Sequence, residues 1–413
     1  MGKLAIDGGT PVRTDPWPAR LQIDDREIDA VVELMTAAKA GGAFDRYGGE
    51  HVDDYEVKFA EAIGTAWATG TSAGTAAIHS ALAALQLEPG TEVITAPITD
   101  QGAVMPVLAQ GLIPVFADAS PECMNMSPDG IRAKITERTG AIIPAHIAGI
   151  PCEMDEIMSI AEEHDLFVIE DCAQAHGAKW DEKFVGAIGH AGAYSLMSGK
   201  HTVAGGQGGM VVTDDEELYW NAKRFADRGK PFNSEVEGNL FLGLNYRMTE
   251  LDAVIGKVQL GKMVEIADRR RAFVNRLEEQ IADLEAFSVC WYPEQSDPSW
   301  WFLLIRIHEE KLTCDKAGAV EAIAAEGIPM GLNYGAIAPK AYWLKEQRAY
   351  GREGHFPWDC VWPDGDWEWA LDVPNAWAAD ENHMRMGVHE CCGEQEAVDT
   401  AEALRKVEAA FLA

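Results

Sequence analysis

The chain has 413 residues, with 34 Lys and Arg against 67 Asp and Glu, a formal net charge of −33, and 47% apolar residues. That length supports two or three packed units, or one large domain with an appendage. The apolar fraction excludes wholesale disorder, and the acidic surface, which repels phosphate backbones and anionic lipid, excludes nucleic-acid and membrane-surface roles.

The opening segment has no basic stretch followed by an apolar run, so no secretory signal is read there. No apolar run approaches the roughly 18 residues that a membrane helix needs. Eight cysteines are scattered without a CxxC pair, and the adjacent Cys391 and Cys392 are poorly placed for a structural disulfide. A cytoplasmic location is the expectation.

In chain order, residues 25–40 read as an amphipathic helix begun by acids. From Trp67 to about Val212, short β-branched runs alternate with helical stretches. Strands are expected at 92–95, 113–116, 141–144 and 166–169, and helices at 74–87, 128–135 and 154–164. Such alternation marks an α/β layered fold with a largely parallel sheet, whose ligand crevice lies at the carboxyl ends of the strands. Residues 249–284 read as one long charged helix. Nine of the thirteen tryptophans follow residue 290, and a boundary near 285 is expected: 1–285 as N-terminal segment plus large domain, 286–413 as a smaller α+β unit closed by a helix at 394–411.

Three segments could carry chemistry. Lys200 follows a strand expected over 191–196 and precedes a loop with four glycines. Desolvation there would lower its pKa and free a nucleophilic amine, although a glycine-flanked lysine also fits a surface turn. Glu170 and Asp171 end an apolar strand, where Asp171 could hold a positive ring nitrogen and Gln174 a ring substituent; both acids also fit a helix cap. Gly74 and Thr75 open an Ala-rich helix whose free amides suit a phosphate dianion, and ordinary capping explains them equally. Together they form a phosphate cradle, an acid for a ring nitrogen and an amine for an aldehyde, the set that holds pyridoxal 5′-phosphate.

On these residues the chain resembles the DegT/StrS family of pyridoxal phosphate-dependent sugar aminotransferases. The marks are Ser72-Ala-Gly-Thr-Ala-Ala77, Glu170-Asp-Cys-Ala-Gln-Ala-His-Gly177, Ser198-Gly-Lys-His-Thr202 and Asn245-Tyr-Arg-Met-Thr-Glu250. The resemblance implies the aspartate-aminotransferase fold (fold type I): a three-layer α/β/α large domain with a smaller α+β C-terminal domain. It implies Lys200 as the Schiff-base lysine, Asp171 on the pyridine nitrogen and Gln174 near the phenolic oxygen. Gly74, Thr75 and Ser195 would hold the phosphate, and Asn245 would reach it from a neighbouring subunit, hence a homodimer with shared sites. It also implies amino transfer from glutamate or glutamine to a ketone on a cyclic polyol or a keto-sugar; inositol-ketone and aminohydroxybenzoate types are the nearest members.

Two departures touch the pocket. In Pro97-Ile-Thr-Asp-Gln101 the polar Gln101 takes the position expected for an aromatic residue over the cofactor ring. Asn333-Tyr334-Gly335-Ala336 replaces a His-Tyr pair followed by proline. The family's dehydratase branch carries histidine in place of the lysine; Lys200 favours transamination. A dehydratase or aromatising enzyme, and a non-catalytic pyridoxal phosphate-binding regulator, are the alternatives. His176, His201, Arg247, Tyr334 and His389 are substrate-pocket candidates, each with a structural role as its rival. His383 and His389 near the Cys391–Cys392 pair fit no zinc spacing, and no metal is assigned.

Overall fold

Along the strands of the main sheet, side chains alternate between two apolar clusters, as the two-residue period of a strand requires. Met210 and Val212 face one cluster with Tyr194, while Val211 and Ala193 face the other. Burial on both sides is what turns these segments into near-continuous apolar runs, and it demands helices on both faces. The computed structural model of the chain describes residues 3–42, 49–350, 357–358 and 367–413.

Chain order begins with helices α1 (Asp25–Lys39) and α2 (Glu50–Ile63), then strand β1 (Trp67–Thr71) and helix α3 (Gly74–Ala84). Strands β2 (Glu92–Thr95), β3 (Ile113–Phe116), β4 (Thr139–Ile143) and β5 (Phe167–Asp171) follow, with helices α4 (Met105–Ala109), α5 (Pro128–Arg132) and α6 (Met154–His164) between them. A small hairpin, β6 (Lys179–Trp180) and β7 (Lys183–Phe184), leads to β8 (Ala191–Ser195) and β9 (Gly209–Thr213). The seven-stranded sheet runs β1-β9-β8-β5-β4-β2-β3. The strands from β8 to β3 pair in parallel, and β9 is antiparallel to both of its neighbours. Helices α3 and α7 (Glu216–Ala226) cover one face through Ala77, Leu82, Leu218 and Ala222. Helix α2 covers the other through Tyr55 and Phe59, with Ala253 of α8 (Glu250–Leu260) beside it. This is the three-layer α/β/α arrangement expected.

The stretch expected as one helix over 249–284 is two helices, α8 and α9 (Met263–Ile281). The break falls at Gly261 and Lys262. The buried Lys262 ammonium pairs with Asp24 and Glu27 at the start of α1, a bond that fixes α1 against the junction.

From β10 (Phe287–Val289) onward the strands form a second sheet. It runs β10, β12 (Phe302–Ile307), β14 (His383–Gly387), β13 (Met330–Gly331) and is antiparallel throughout. The short β11 (Ser296–Asp297) instead joins the β6–β7 hairpin. The N-terminal segment packs on the second unit: Glu326 accepts from the Ala5 and Val12 amides, and Arg13 pairs with Asp399 of the closing helix Glu394–Phe411. In the tryptophan-rich stretch, Trp358 packs against Trp343 and Trp367; Tyr47, Cys360 and Trp362 lie outside the described residues. Among the described residues no helix is long and apolar enough to cross a membrane.

Candidate active site

Lys200 sits just past β8, where Gly199 takes a left-handed φ of 98° that only glycine adopts without strain and so turns the lysine inward. Three sequence-remote groups fasten this loop. Arg20 donates to the Lys200 and His201 carbonyls at 2.8 Å each while its Nε holds Glu390; the Trp301 indole donates to Gly199 O at 2.9 Å. Lys200 Nζ lies 3.8 Å from the centre of the Trp301 ring, a cation–π contact. With the residue only 7% exposed, burial pulls the amine's pKa down to about 8, against the opposing pull of Asp171 and Asp100.

Asp171 ends β5 at the carboxyl edge of the sheet. Its Oδ1 accepts from the Ala173 amide at 3.0 Å, and burial pushes its pKa up, with that amide and Lys200 working the other way. The neighbouring Glu170 points to the opposite side of the strand. It accepts from the amides of Ile188, Gly189 and Gly186 and from His146 Nε2. That full set also answers a metal reading. His146, Glu170 and Cys172 are the trio close enough to share an ion among the described residues, yet both Glu170 oxygens are already engaged and His146 Nδ1 accepts from the Cys152 amide.

Helix α3 starts at Gly74 after Ala73, which has no side chain to cap it. The first-turn amides are therefore left without a side-chain acceptor and supply the positive end of the helix dipole. A Cβ on Gly74 would lie 2.5 Å from Ser195 Cβ, so only glycine lets the helix start approach β8 this closely.

These pieces meet in a cavity of about 270 Å³, lined among others by Gly74, Thr75, Asp100, Asp171, Ser195, Lys200, Trp301 and Tyr334. An uncapped helix start for a phosphate, a buried carboxylate for a ring cation and a desolvated amine for an aldehyde share one space. The donor set fits a flat phosphorylated aldehyde.

Of the other expected residues, Gln174 reaches the site indirectly. Its Oε1 accepts from the Ala148 amide, and its Nε2 donates to the Tyr334 hydroxyl at 3.0 Å. Burial raises the Tyr334 phenol to about 12. Gln101 does not cover the cavity: its amide faces Ala338 O and the Trp343 indole. The preceding residue, Asp100, caps the turn through Gly102 N and lines the cavity instead. His176 and His201 are fully buried behind the lysine loop, bonded to Thr202 and Ser299, and burial pulls His176 down to about 3. His389 lies in the turn before the closing helix, with its Nδ1 facing the Cys391 amide. Arg247 stands 3.4 Å from Asp227 and lines a separate cavity with Glu56 and Lys223. Asn245 is exposed and outside its own chain's cavity. Sequence reading missed Asp100, one residue from the position chosen, and Trp301, which comes from the second unit with no motif to announce it.

The family model described as the DegT/DnrJ/EryC1/StrS aminotransferase family matches residues 21–357. A GDP-perosamine synthase of Escherichia coli O157:H7 is 38% identical over 236 residues, 57% of this chain and 64% of that protein, so less than two-thirds of that relative is matched. A putative L-glutamine:3-amino-2,3-dideoxy-scyllo-inosose aminotransferase of Micromonospora echinospora is 32% identical over 337 residues, covering 79% of this chain and 78% of that protein. Among solved structures, an aminotransferase from Psychrobacter cryohalolentis superposes with a TM-score of 0.81 at 31% identity, covering 97% of this chain and all of that one.

Proposed function

Because the chain belongs to the DegT/DnrJ/EryC1/StrS aminotransferase family, we propose that it moves an amino group from glutamate or glutamine to a ketone on a cyclic polyol or a keto-sugar, working as a homodimer. The cofactor is pyridoxal 5′-phosphate, and the substrates are small molecules. The observation that carries this reading is the desolvated Lys200 amine, in one cavity with the Asp171 carboxylate and the uncapped start of α3.

When bound, the cofactor supplies a carbonyl that takes up the amino group and a ring that accommodates negative charge. The chain's own residues do the rest. Amides at the α3 start, the Thr75 hydroxyl and Ser195 would hold the phosphate. Asp171, shielded from water, would keep the ring nitrogen protonated through a charge-assisted hydrogen bond. Lys200, once free, moves a proton, and a pKa of about 8 leaves it able to give and take one near neutrality. The relatives named for GDP-perosamine synthesis and for inosose amination support an acceptor of the sugar or cyclitol class. An exposed Asn245 outside its own cavity supports the expectation that it serves a partner's phosphate. The intact Lys200 disfavours the dehydratase and non-catalytic alternatives.

The test is the visible spectrum of the protein loaded with pyridoxal phosphate, before and after glutamate or glutamine, beside Lys200→Ala. A band that the donor bleaches, and that is altered in the variant, is the expected result. A band that neither donor touches refutes the reading.

A further inference from the structure

We propose that Asp100 selects the acceptor. Its carboxylate accepts hydrogen bonds from hydroxyl or ammonium groups flanking the reacting ketone. The proposal rests on the transaminase reading and assigns that same cavity a substrate chemistry.

Asp100 stands beyond the carboxyl end of β2, where the chain makes the turn Gln101–Ala103. Its Oδ1 accepts from the Gly102 amide at 2.8 Å; its Oδ2 has no hydrogen-bond partner among the described residues. Unlike Asp171, which is 6% exposed, Asp100 is an exposed residue on the cavity's lining. A Cβ built on Gly102 would fall 2.3 Å from Thr75 Oγ1 and 3.0 Å from Asp100 Oδ1. The carboxylate and the Thr75 hydroxyl therefore stand close together on the cavity wall they both line, next to the phosphate cradle.

Charge decides what can bind in this part of the cavity. Among the lining residues Lys200 is the one cation, and both Asp100 and Asp171 act on it. Once Lys200 is engaged with the cofactor, Asp171 has the ring nitrogen to pair with and Asp100 has nothing. An exposed carboxylate on the cavity wall with no counter-charge beside it is free to accept hydrogen bonds from hydroxyl or ammonium donors. An amino-acid donor carries a carboxylate on its reacting carbon, so Asp100 cannot be the donor's anchor. A polyol ketone carries hydroxyls at the corresponding position. Asp100 therefore favours the polyol ketone at the acceptor step and offers the amino-acid donor no hydrogen bond.

The rival role is that Asp100 only caps the turn. Asparagine caps about as well as aspartate, so Asp100→Asn keeps the turn and removes the charge. The wild type and the variant are loaded with pyridoxal phosphate, and the titration of the apoproteins with the cofactor checks that both sites are intact. Each is bleached with glutamate, and recovery of the band is followed on adding scyllo-inosose, a neutral polyol ketone, or 2-oxoglutarate. The expected result is that Asp100→Asn needs at least ~10-fold more scyllo-inosose for half-maximal recovery, with the 2-oxoglutarate requirement unchanged or lower. A discrimination ratio that stays within about twofold overturns the proposal. Failure of every amino donor to bleach the band refutes the transaminase reading instead, a separate result.

Discussion

Replacing Glu170 tests whether the end of β5 is held as described. The carboxylate is fully buried and receives four hydrogen bonds: Ile188 N at 2.8 Å and Gly189 N at 2.7 Å on one oxygen, Gly186 N at 2.8 Å and His146 Nε2 at 3.1 Å on the other. Glu170→Gln keeps the shape, but its amide nitrogen cannot accept, so one oxygen's worth of donors faces an NH₂ group. A buried donor left unsatisfied costs about 1–3 kcal/mol, so the glutamine variant should lose about 2–3 kcal/mol. Glu170→Leu orphans all three amides and the imidazole and should lose at least ~4 kcal/mol, even with some relaxation. The assay is chemical unfolding of the purified protein, read as the shift in midpoint at unchanged slope. Cofactor retention should fall in parallel, because Asp171 is the next residue on the strand. Loss of less than about 1 kcal/mol in Glu170→Leu would refute the hydrogen-bond accounting. A chelator should leave the wild-type midpoint unmoved; if it lowered the midpoint, the trio of His146, Glu170 and Cys172 would have to be read as a metal site.

Four further outcomes are expected. Gly74→Ala, whose methyl would lie 2.5 Å from Ser195 Cβ, should push the α3 start off β8 and weaken cofactor binding at least ~10-fold in an absorbance titration, with little change in global fold. The Lys200 pKa is depressed to about 8, so the rate of cofactor capture by the apoprotein should climb through about pH 8 and then level, whereas an ordinary lysine would keep gaining to about pH 10.4. The same depression means the native state is penalised for holding the charge below about pH 8 and relieved as pH rises from there towards the unfolded value. Lys200→Met should accordingly stabilise the apoprotein at pH 7, and the gain should shrink as pH rises from about 8 towards about 10.4; a constant difference across that range would contradict the desolvated amine. Finally, if Asn245 serves the partner's site, mixing inactive Lys200→Ala and Asn245→Ala dimers through unfolding and refolding should restore about a quarter of wild-type turnover, from mixed dimers with one intact site each. No recovery would place Asn245 in its own chain's chemistry.

Much of the fold was legible because burial on both faces leaves an unmistakable signature. The apolar runs at 92–95 and 113–116 are strands β2 and β3 to the residue, and 154–164 is helix α6. The break between α8 and α9 was not legible, since Gly261 is tolerated inside many helices and the partners of its neighbour Lys262, Asp24 and Glu27, lie far back in the chain. The cavity's motif residues announced themselves by type and position: Gly74, Thr75, Asp171, Ser195 and Lys200 all line it. What misled was the geometry of a three-residue turn. Asp100 and Gln101 are adjacent, and the capping bond to Gly102 together with the Gln101 contacts to Ala338 and Trp343 leaves Asp100 as the one on the cavity wall. Histidine was the other weak guide. His176 and His201 sit beside the key lysine in sequence or space, yet they are packed neutral behind it, a distinction that burial makes and residue type does not.

The loop that carries Lys200 is fastened by Arg20, Trp301 and, through Arg20, Glu390. These residues come from near both ends of the chain and from the second unit. Contacts this distant in sequence form late, after the loops between them have closed. During synthesis the main sheet can assemble as soon as β9 has emerged, but the lysine cannot be locked in place until Glu390 has been made. Competence to capture the cofactor therefore waits for Glu390, and a chain stopped before Glu390 should fold much of its main sheet while remaining colourless.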